Sequence, residues 1–274
     1  MSLKKITSLA MICICALAFG GSSTVHASVT IETFNSLGNG QIVDNEFSSG
    51  ANGFTISGNN LGGGPDLVVI FDTFASGTDD PDLQDPFDFG NAATSDVFTD
   101  LQDPSVPSSD ISRFFNALII QESGGEDSSN PGFIDDNPDD EGGRPAGSIS
   151  FAFNTPIDSI GFDLLDVEGT AEEPFSVDFS DGSTSLQLDF ADFIALDGTL
   201  EFGNNSANRI LPVTAEQVSD IAGGTLTSFN SVTFNLGGSG AIDNVTFTAV
   251  PEPTGLPILT LLGLVSLARN RRRK

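Results

Sequence analysis

Apolar and polar residues alternate with a period of two in several short segments of the central part of the chain. Such alternation predicts strands that place one face in a core and the other in water. The segments are 148–153, 174–179, 185–190, 232–236 and 245–247. The second and third flank Asp181-Gly182, a dipeptide typical of a hairpin turn.

Two other segments, 67–71 and 117–120, are continuously apolar. They suit strands that are buried on both sides or lie at the centre of a sandwich. One helix is predicted over Thr214–Ile221, where Thr214 and Gln217 have the spacing of a capping box. Many strands, glycine-rich turns and a single short helix predict an all-β fold, a β-sandwich of jelly-roll or lectin-like type.

The first 27 residues have the three-part pattern of a secretory signal peptide. Lys4 and Lys5 are followed by an apolar stretch up to Phe19 and then by small residues that end at Ala27. We therefore expect export and cleavage by signal peptidase after Ala27. The mature chain would then contain neither cysteine nor histidine, because Cys13, Cys15 and His26 all lie in this segment. That excludes disulfides, thiolate nucleophiles and serine–histidine triads.

The C-terminal segment, residues 250–274, has a second three-part pattern. Pro251-Glu252-Pro253 comes first, an apolar stretch at 256–268 predicts a membrane helix, and a basic end closes the chain. The cytoplasmic flank of that anchor is formed by Arg269, Arg271, Arg272 and Arg273, together with Lys274. The predicted organisation is a signal peptide (1–27), an acidic ectodomain (28–249) and a sorting segment (250–274).

This C-terminal pattern resembles the PEP-CTERM sorting signal of Gram-negative bacteria, whose tail is also catalogued as an ice-binding-protein C-terminal segment. The resemblance covers residues 250–274 only. It implies processing by an exosortase near Pro251-Glu252-Pro253, a location in the cell envelope or at the cell surface, and a link to exopolysaccharide and biofilm matrix.

The charge of the chain is very uneven. Between residues 28 and 253, the three basic residues Arg113, Arg144 and Arg209 stand against all 38 acidic residues, a balance of −35. A domain this acidic repels nucleic acid and anionic lipid and attracts divalent cations. The aromatic residues are 23 Phe with no Trp or Tyr, which suits a buried core and argues mildly against a sugar-binding platform of the common Trp/Tyr type.

Carboxylate-rich loops are the candidate metal sites, because calcium takes six to eight oxygen ligands. The candidate ligands are Asp79, Asp80, Asp82 and Asp85 in one loop, Asp127, Asp135, Asn137 and Asp139 in a second, and Asp243 before the last strand. Two alternatives remain open: the loops are solvated and disordered, and Asp243 makes an ordinary turn hydrogen bond.

Three functions are compatible with these features. The first is a non-catalytic surface or matrix protein that binds polysaccharide, with calcium as a candidate cofactor. The second is a purely structural matrix or adhesion component. The third and weakest is a carboxylate-based glycoside hydrolase, because carboxylates are the only common catalytic groups left in the mature chain.

Overall fold

Ten antiparallel strands and two short helices make up the described part of the protein. The computed structural model describes residues 29–75, 83, 115–167, 171–196, 200 and 207–250. The strands are β1 (Val29–Glu32), β2 (Phe54–Asn60), β3 (Val68–Asp72), β4 (Asn116–Ile120), β5 (Gly147–Leu165), β6 (Ser176–Ser180), β7 (Ser185–Asp189), β8 (Ala207–Thr214), β9 (Phe229–Leu236) and β10 (Ala241–Ala249). The helices are α1 (Phe190–Leu196) and α2 (Ala215–Ala222).

The long strand β5 joins the two parts of the sheet. Its first part pairs with β2 and β9, and its second part pairs with β8 and β10. The pairing partners of β5 change near Pro156, where the register between β5 and β9 shifts between Ala152 and Ile157. Proline has no amide hydrogen to donate, so the hydrogen-bond ladder is interrupted at this point. The sheet therefore has two halves that share one strand.

The two halves cover a common phenylalanine-rich core. The first half contains β2, β5, β9, β6 and β7; the second contains β8, β5, β10, β4 and β3, with β1 also paired to β10. Phe54 on β2 packs against Phe247 on β10 at a ring-centroid distance of 5.8 Å. Phe162 and Phe234 are 4.7 Å apart. The prediction of an all-β fold is confirmed, and its jelly-roll or lectin-like subclass stays a prediction.

Strands β3 and β4 are buried on both faces, as their continuous apolar sequences predict. Every residue of 68–71 and 117–120 is at most 2% exposed. Ile70 and Leu118 face the core between the halves. Phe71 belongs to a smaller apolar cluster on the opposite face of the second half.

The predicted hairpin and the predicted helix are both present. β6 and β7 pair across a turn in which Gly182 has a φ of 88°, a conformation that glycine adopts without strain. Helix α2 begins after Thr214, and the capping box with Gln217 is formed. The sequence patterns do not predict α1, β1, β2, β8 or the continuation of β5 to Leu165.

Within the described residues, no helix is long and apolar enough to cross a membrane. The signal peptide, the Pro251-Glu252-Pro253 motif and the C-terminal helix lie outside those residues, so they stay predictions.

Candidate functional site

A shallow cleft, largely open to solvent and with a volume of about 390 Å³, lies where β3 ends and β4 begins. Its lining residues are Asn35, Asp72, Phe74, Phe115 and Asn116. Asp72 and Asn116 are register partners, and Thr73 donates its N–H to the Phe115 carbonyl at 2.8 Å. The hydrogen-bonded ends of β3 and β4 therefore hold Phe74, which follows β3, next to Phe115, which precedes β4.

The cleft combines an aromatic pair with polar side chains. The rings of Phe74 and Phe115 are 5.3 Å apart with an interplanar angle of 40°. Phe74 is 43% exposed, so part of its ring is available to a ligand. An apolar surface beside a few oriented polar groups is the usual composition of a small-molecule or sugar site.

Hydrogen bonds hold the polar side of the cleft in place. Asn116 donates its side-chain amide to the carbonyls of Leu37, at 2.8 Å, and Phe34, at 3.3 Å. Asp72 Oδ1 accepts from the Phe74 N–H at 2.9 Å. These contacts hold Asn116 and Asp72 in place without a ligand, which reduces the conformational entropy that binding would cost.

A line of buried charged residues crosses three adjacent strands of the second half. Arg209 on β8, Asp163 on β5 and Asp243 on β10 lie opposite one another in register. Each is at most 1% exposed. Arg209 donates from Nε to Asp163 Oδ1 and from Nη2 to Oδ2, both at 2.7 Å. This bidentate geometry is the strongest form of an arginine–carboxylate pair.

A β-bulge brings Asn244 into this buried cluster. Asp243 pairs with Asp163, but the next register pair is Thr246 with Gly161, so β10 holds one extra residue. Asn244 has a φ of 48°, a left-handed conformation that asparagine tolerates better than most residues. Its Nδ2 donates to Asp163 Oδ2 at 2.6 Å. We call Arg209, Asp163, Asp243 and Asn244 the buried cluster.

The electrostatics of the buried cluster act most strongly on Asp243. Burial raises the pKa of the Asp243 carboxyl well above its usual value, and the neighbouring charge of Asp163 raises it further. The Phe115 N–H donates to Asp243, which opposes that rise. Phe115 thus connects the cleft to the buried cluster. Because both carboxylates are buried, this pair is closed to a polymeric substrate.

The second acidic loop forms a hydrogen-bonded hairpin. Residues 121–141 form what we call the acidic hairpin. Glu126 and Ile134 form a β-bridge across it. The Glu122 N–H donates to the Asp139 carbonyl at 2.9 Å.

Backbone and side-chain donors hold two of the predicted metal ligands in this hairpin. Asp127 Oδ1 accepts from the Ser129 hydroxyl at 2.6 Å and from the Ser129 N–H at 2.7 Å, and these bonds lower the pKa of Asp127. Asp135 Oδ1 accepts from the Gly125 N–H at 2.7 Å. Both carboxylates therefore stabilise turns within the acidic hairpin.

Two further acidic side chains tie the hairpin to the sheet. Asp140 Oδ2 accepts from the buried N–H of Gly240 at 2.5 Å. Glu141 Oε2 accepts from the Asn60 amide at 2.8 Å. At the base of the hairpin, Asp140 and Glu141 thus accept hydrogen bonds from groups of the sheet. The number of acidic residues in the sequence does not reveal this role.

The predicted calcium ligands are not brought together in the described part of the chain. There, no group of three or more Asp, Glu, His or Cys is placed to hold a metal ion. Asp243 lies beside the Arg209–Asp163 pair, and the guanidinium charge would repel a cation there. Calcium at Asp127, Asp135, Asn137 or Asp139 stays a prediction. Asp79, Asp80, Asp82 and Asp85 lie outside the described residues.

The sequence patterns predict neither the cleft nor the members of the buried cluster other than Asp243. Phe74 and Phe115 are far apart along the chain, and neither belongs to a recognisable motif. Arg209 is one of only three basic residues between the two termini. That rarity is a signal that could have marked it as a partner of a buried carboxylate.

Comparisons with known proteins leave the family open. No family model matches the chain, and no curated protein matches it in sequence. Among solved structures, the chain is similar to TmCBM61 in complex with β-1,4-galactotriose, with 10% sequence identity and a TM-score of 0.30. The match covers 79% of this chain and 94% of that chain. A TM-score this low establishes neither a shared fold nor a shared ligand.

Proposed function

We propose that this chain is an exported, non-catalytic protein of the bacterial surface or matrix, and that its ectodomain binds polysaccharide at the Phe74–Phe115 cleft. The observation that carries the proposal is the aromatic pair of exposed Phe74 and half-buried Phe115, which lies beside Asp72, Asn35 and Asn116. A pyranose ring has apolar C–H faces that pack on an aromatic ring and hydroxyls that exchange hydrogen bonds with carboxylate and amide groups.

Charge limits the kind of polysaccharide. The domain carries a large excess of carboxylates, and Asp72 lies in the cleft itself. An anionic polymer is repelled by such a surface. We therefore infer a neutral or amino-sugar polymer as the ligand, as opposed to a uronic acid polymer.

The cleft is tested by Phe74→Ala, with binding measured by affinity electrophoresis in gels that contain a soluble neutral glucan, galactan or mannan. Burial of a phenylalanine side chain contributes about 1.5–3 kcal/mol. We expect binding to weaken by about ten- to a hundredfold, since 1.4 kcal/mol is a factor of ten. Phe74→Tyr keeps the ring and should retain binding.

Leu196→Ala is the matched control, because Leu196 is 42% exposed and lies on α1, outside the cleft lining. If both alanine variants migrate like the parent in a gel that retards the parent, the cleft is not the binding site. If no polysaccharide retards the parent protein, the purely structural matrix function replaces this proposal.

Export and sorting form the second part of the proposal, supported by the three-part sequences at both ends. Protein isolated from the envelope or the cell surface should begin at Ser28 and lack the basic residues after Ala268. Intact-mass analysis measures both ends at once. Detection of Lys274 in surface material would refute processing by an exosortase.

A further inference from the structure

The outward face of the first half of the sheet carries a regular array of small polar side chains. Strand register places them in three rows that cross β2, β5, β9, β6 and β7 in that order. We call this array the polar face. Its rows are Thr55, Ala152, Ser231, Ser180 and Ser185; then Ser57, Ser150, Thr233, Asp178 and Gln187; then Asn59, Ser148, Asn235, Ser176 and Asp189.

The polar face is open to solvent and extended. None of its fifteen residues is buried. With strands about 4.8 Å apart, each row is about 19 Å long, and neighbouring rows are about 6.7 Å apart. Fourteen of the fifteen residues are polar, and the exception is Ala152. Such a surface has room for several consecutive residues of an extended polymer.

Hydrogen bonds between neighbouring strands order the side chains of the middle row. The hydroxyls of Ser150 and Thr233 lie 2.8 Å apart. Asp178 accepts from Gln187 Nε2 at 3.0 Å through Oδ1 and from Asn235 Nδ2 at 2.8 Å through Oδ2. Fixed polar groups lose little conformational freedom when a ligand binds, so the face is preorganised for hydrogen bonding.

The charge of the polar face comes from two residues only. Asp178 and Asp189 are its ionisable groups, and it contains no basic residue. Both oxygens of Asp178 are engaged by amide donors. The face also lacks Arg, Met and aromatic residues, the types enriched in protein–protein interfaces. Its chemistry therefore fits an uncharged partner rich in hydroxyl groups better than a protein.

We propose that the polar face is a second docking surface, on which an extended, uncharged polysaccharide chain lies. Ser, Thr and Asn side chains each both donate and accept, and so do the hydroxyls of a sugar. The proposal rests on the polysaccharide-binding function above and extends it from one cleft to the outward surface of the first half of the sheet. Polyanions are disfavoured, because the rest of the domain repels them.

Thr233→Lys in the full chain tests this surface, because Thr233 is at the centre of the array and the new side chain would cover its neighbours. The adjacent Asp178 provides a partner for the added charge, so the variant should fold. We expect at least tenfold weaker binding in gels of soluble neutral glucan, galactan or mannan. Thr233→Val removes only the hydroxyl and should weaken binding less. A thermal melt of each variant verifies folding.

Thr225→Lys is the control, since Thr225 is exposed and lies outside the array. Equal binding by the Thr233→Lys and Thr225→Lys variants would overturn the proposal. Retardation by alginate as strong as by the neutral polymers would also overturn it. Loss of binding in Phe74→Ala with no change in Thr233→Lys would leave the cleft proposal standing and remove this one. Loss of binding in the Thr233→Lys variant alone would support the polar face and remove the cleft proposal.

Discussion

Replacement of Arg209 by methionine should lower the free energy of unfolding by about 3–5 kcal/mol. Methionine has nearly the length of arginine but cannot neutralise Asp163, which is buried and bound to Arg209 through two hydrogen bonds. The variant would bury an uncompensated carboxylate beside a second carboxyl, that of Asp243. Urea unfolding, followed by circular dichroism, measures the loss.

The double variant Arg209→Met/Asp163→Leu separates charge from packing. When both members of a buried ion pair are replaced by apolar residues, stability is often retained or increased. We therefore expect the double variant to recover much of the loss, even though Asn244 also loses an acceptor. A double variant less stable than Arg209→Met alone would contradict this account of the buried cluster.

Replacement of Asp243 by asparagine should stabilise the protein at neutral pH. The pKa of Asp243 is raised in the folded protein by burial and by Asp163. A raised pKa means that the folded state holds the proton after the unfolded chain has lost it, so wild-type stability falls as pH rises from about 4 to the folded pKa. Asparagine does not titrate, so the variant does not lose stability in this way. Its advantage should be absent below about pH 4 and should grow by about 1.4 kcal/mol per pH unit within that window.

Asp181→Asn is the control for the direction of this pH effect. The N–H of Thr184 and the groups of Ser183 donate to the Asp181 carboxylate and lower its pKa. Its contribution to stability is therefore present above its unfolded pKa and is lost as pH falls. Asp181→Asn should destabilise the protein at neutral pH and lose that effect in acid. Urea midpoints for both variants from pH 3 to pH 8 test the two opposite trends. An Asp243→Asn variant that tracks the wild type at every pH would contradict the account of Asp243.

The buried cluster and the cleft are linked through the backbone of Phe115. Asp243 accepts the N–H of Phe115, one of the two aromatic residues of the cleft. Asparagine at position 243 keeps an acceptor oxygen for that N–H. The Asp243→Asn variant should therefore alter stability while the Phe74–Phe115 pair stays in place.

Local features of the fold were predictable because their cause is local. The alternation on either side of Asp181-Gly182 predicted a hairpin, and β6 and β7 form it. Thr214 and Gln217 predicted the start of α2 through their own hydrogen bonds. The continuous apolar sequences of β3 and β4 predicted strands buried on both faces, because no side chain there carries a polar group, and the backbone groups pair within the sheet.

Features that join distant segments were not predictable in the same way. β5 was recognised only as far as Phe153, since the alternation ends near Pro156, where the strand passes from one half of the sheet to the other. The composition of the acidic hairpin is compatible both with calcium binding and with disorder. It does not reveal which backbone N–H groups donate to the carboxylates.

The amino-acid sequence by itself determined the all-β class, the excess of negative charge and the confinement of cysteine and histidine to the first 27 residues. Each of these follows from residue type or from neighbours along the chain. Only the tertiary structure decided that Asp163 meets Arg209, that Phe74 meets Phe115, and that the fifteen residues of the polar face share one side of the sheet. Those contacts depend on strand register, and a shift of one residue would turn each side chain to the opposite face of the sheet.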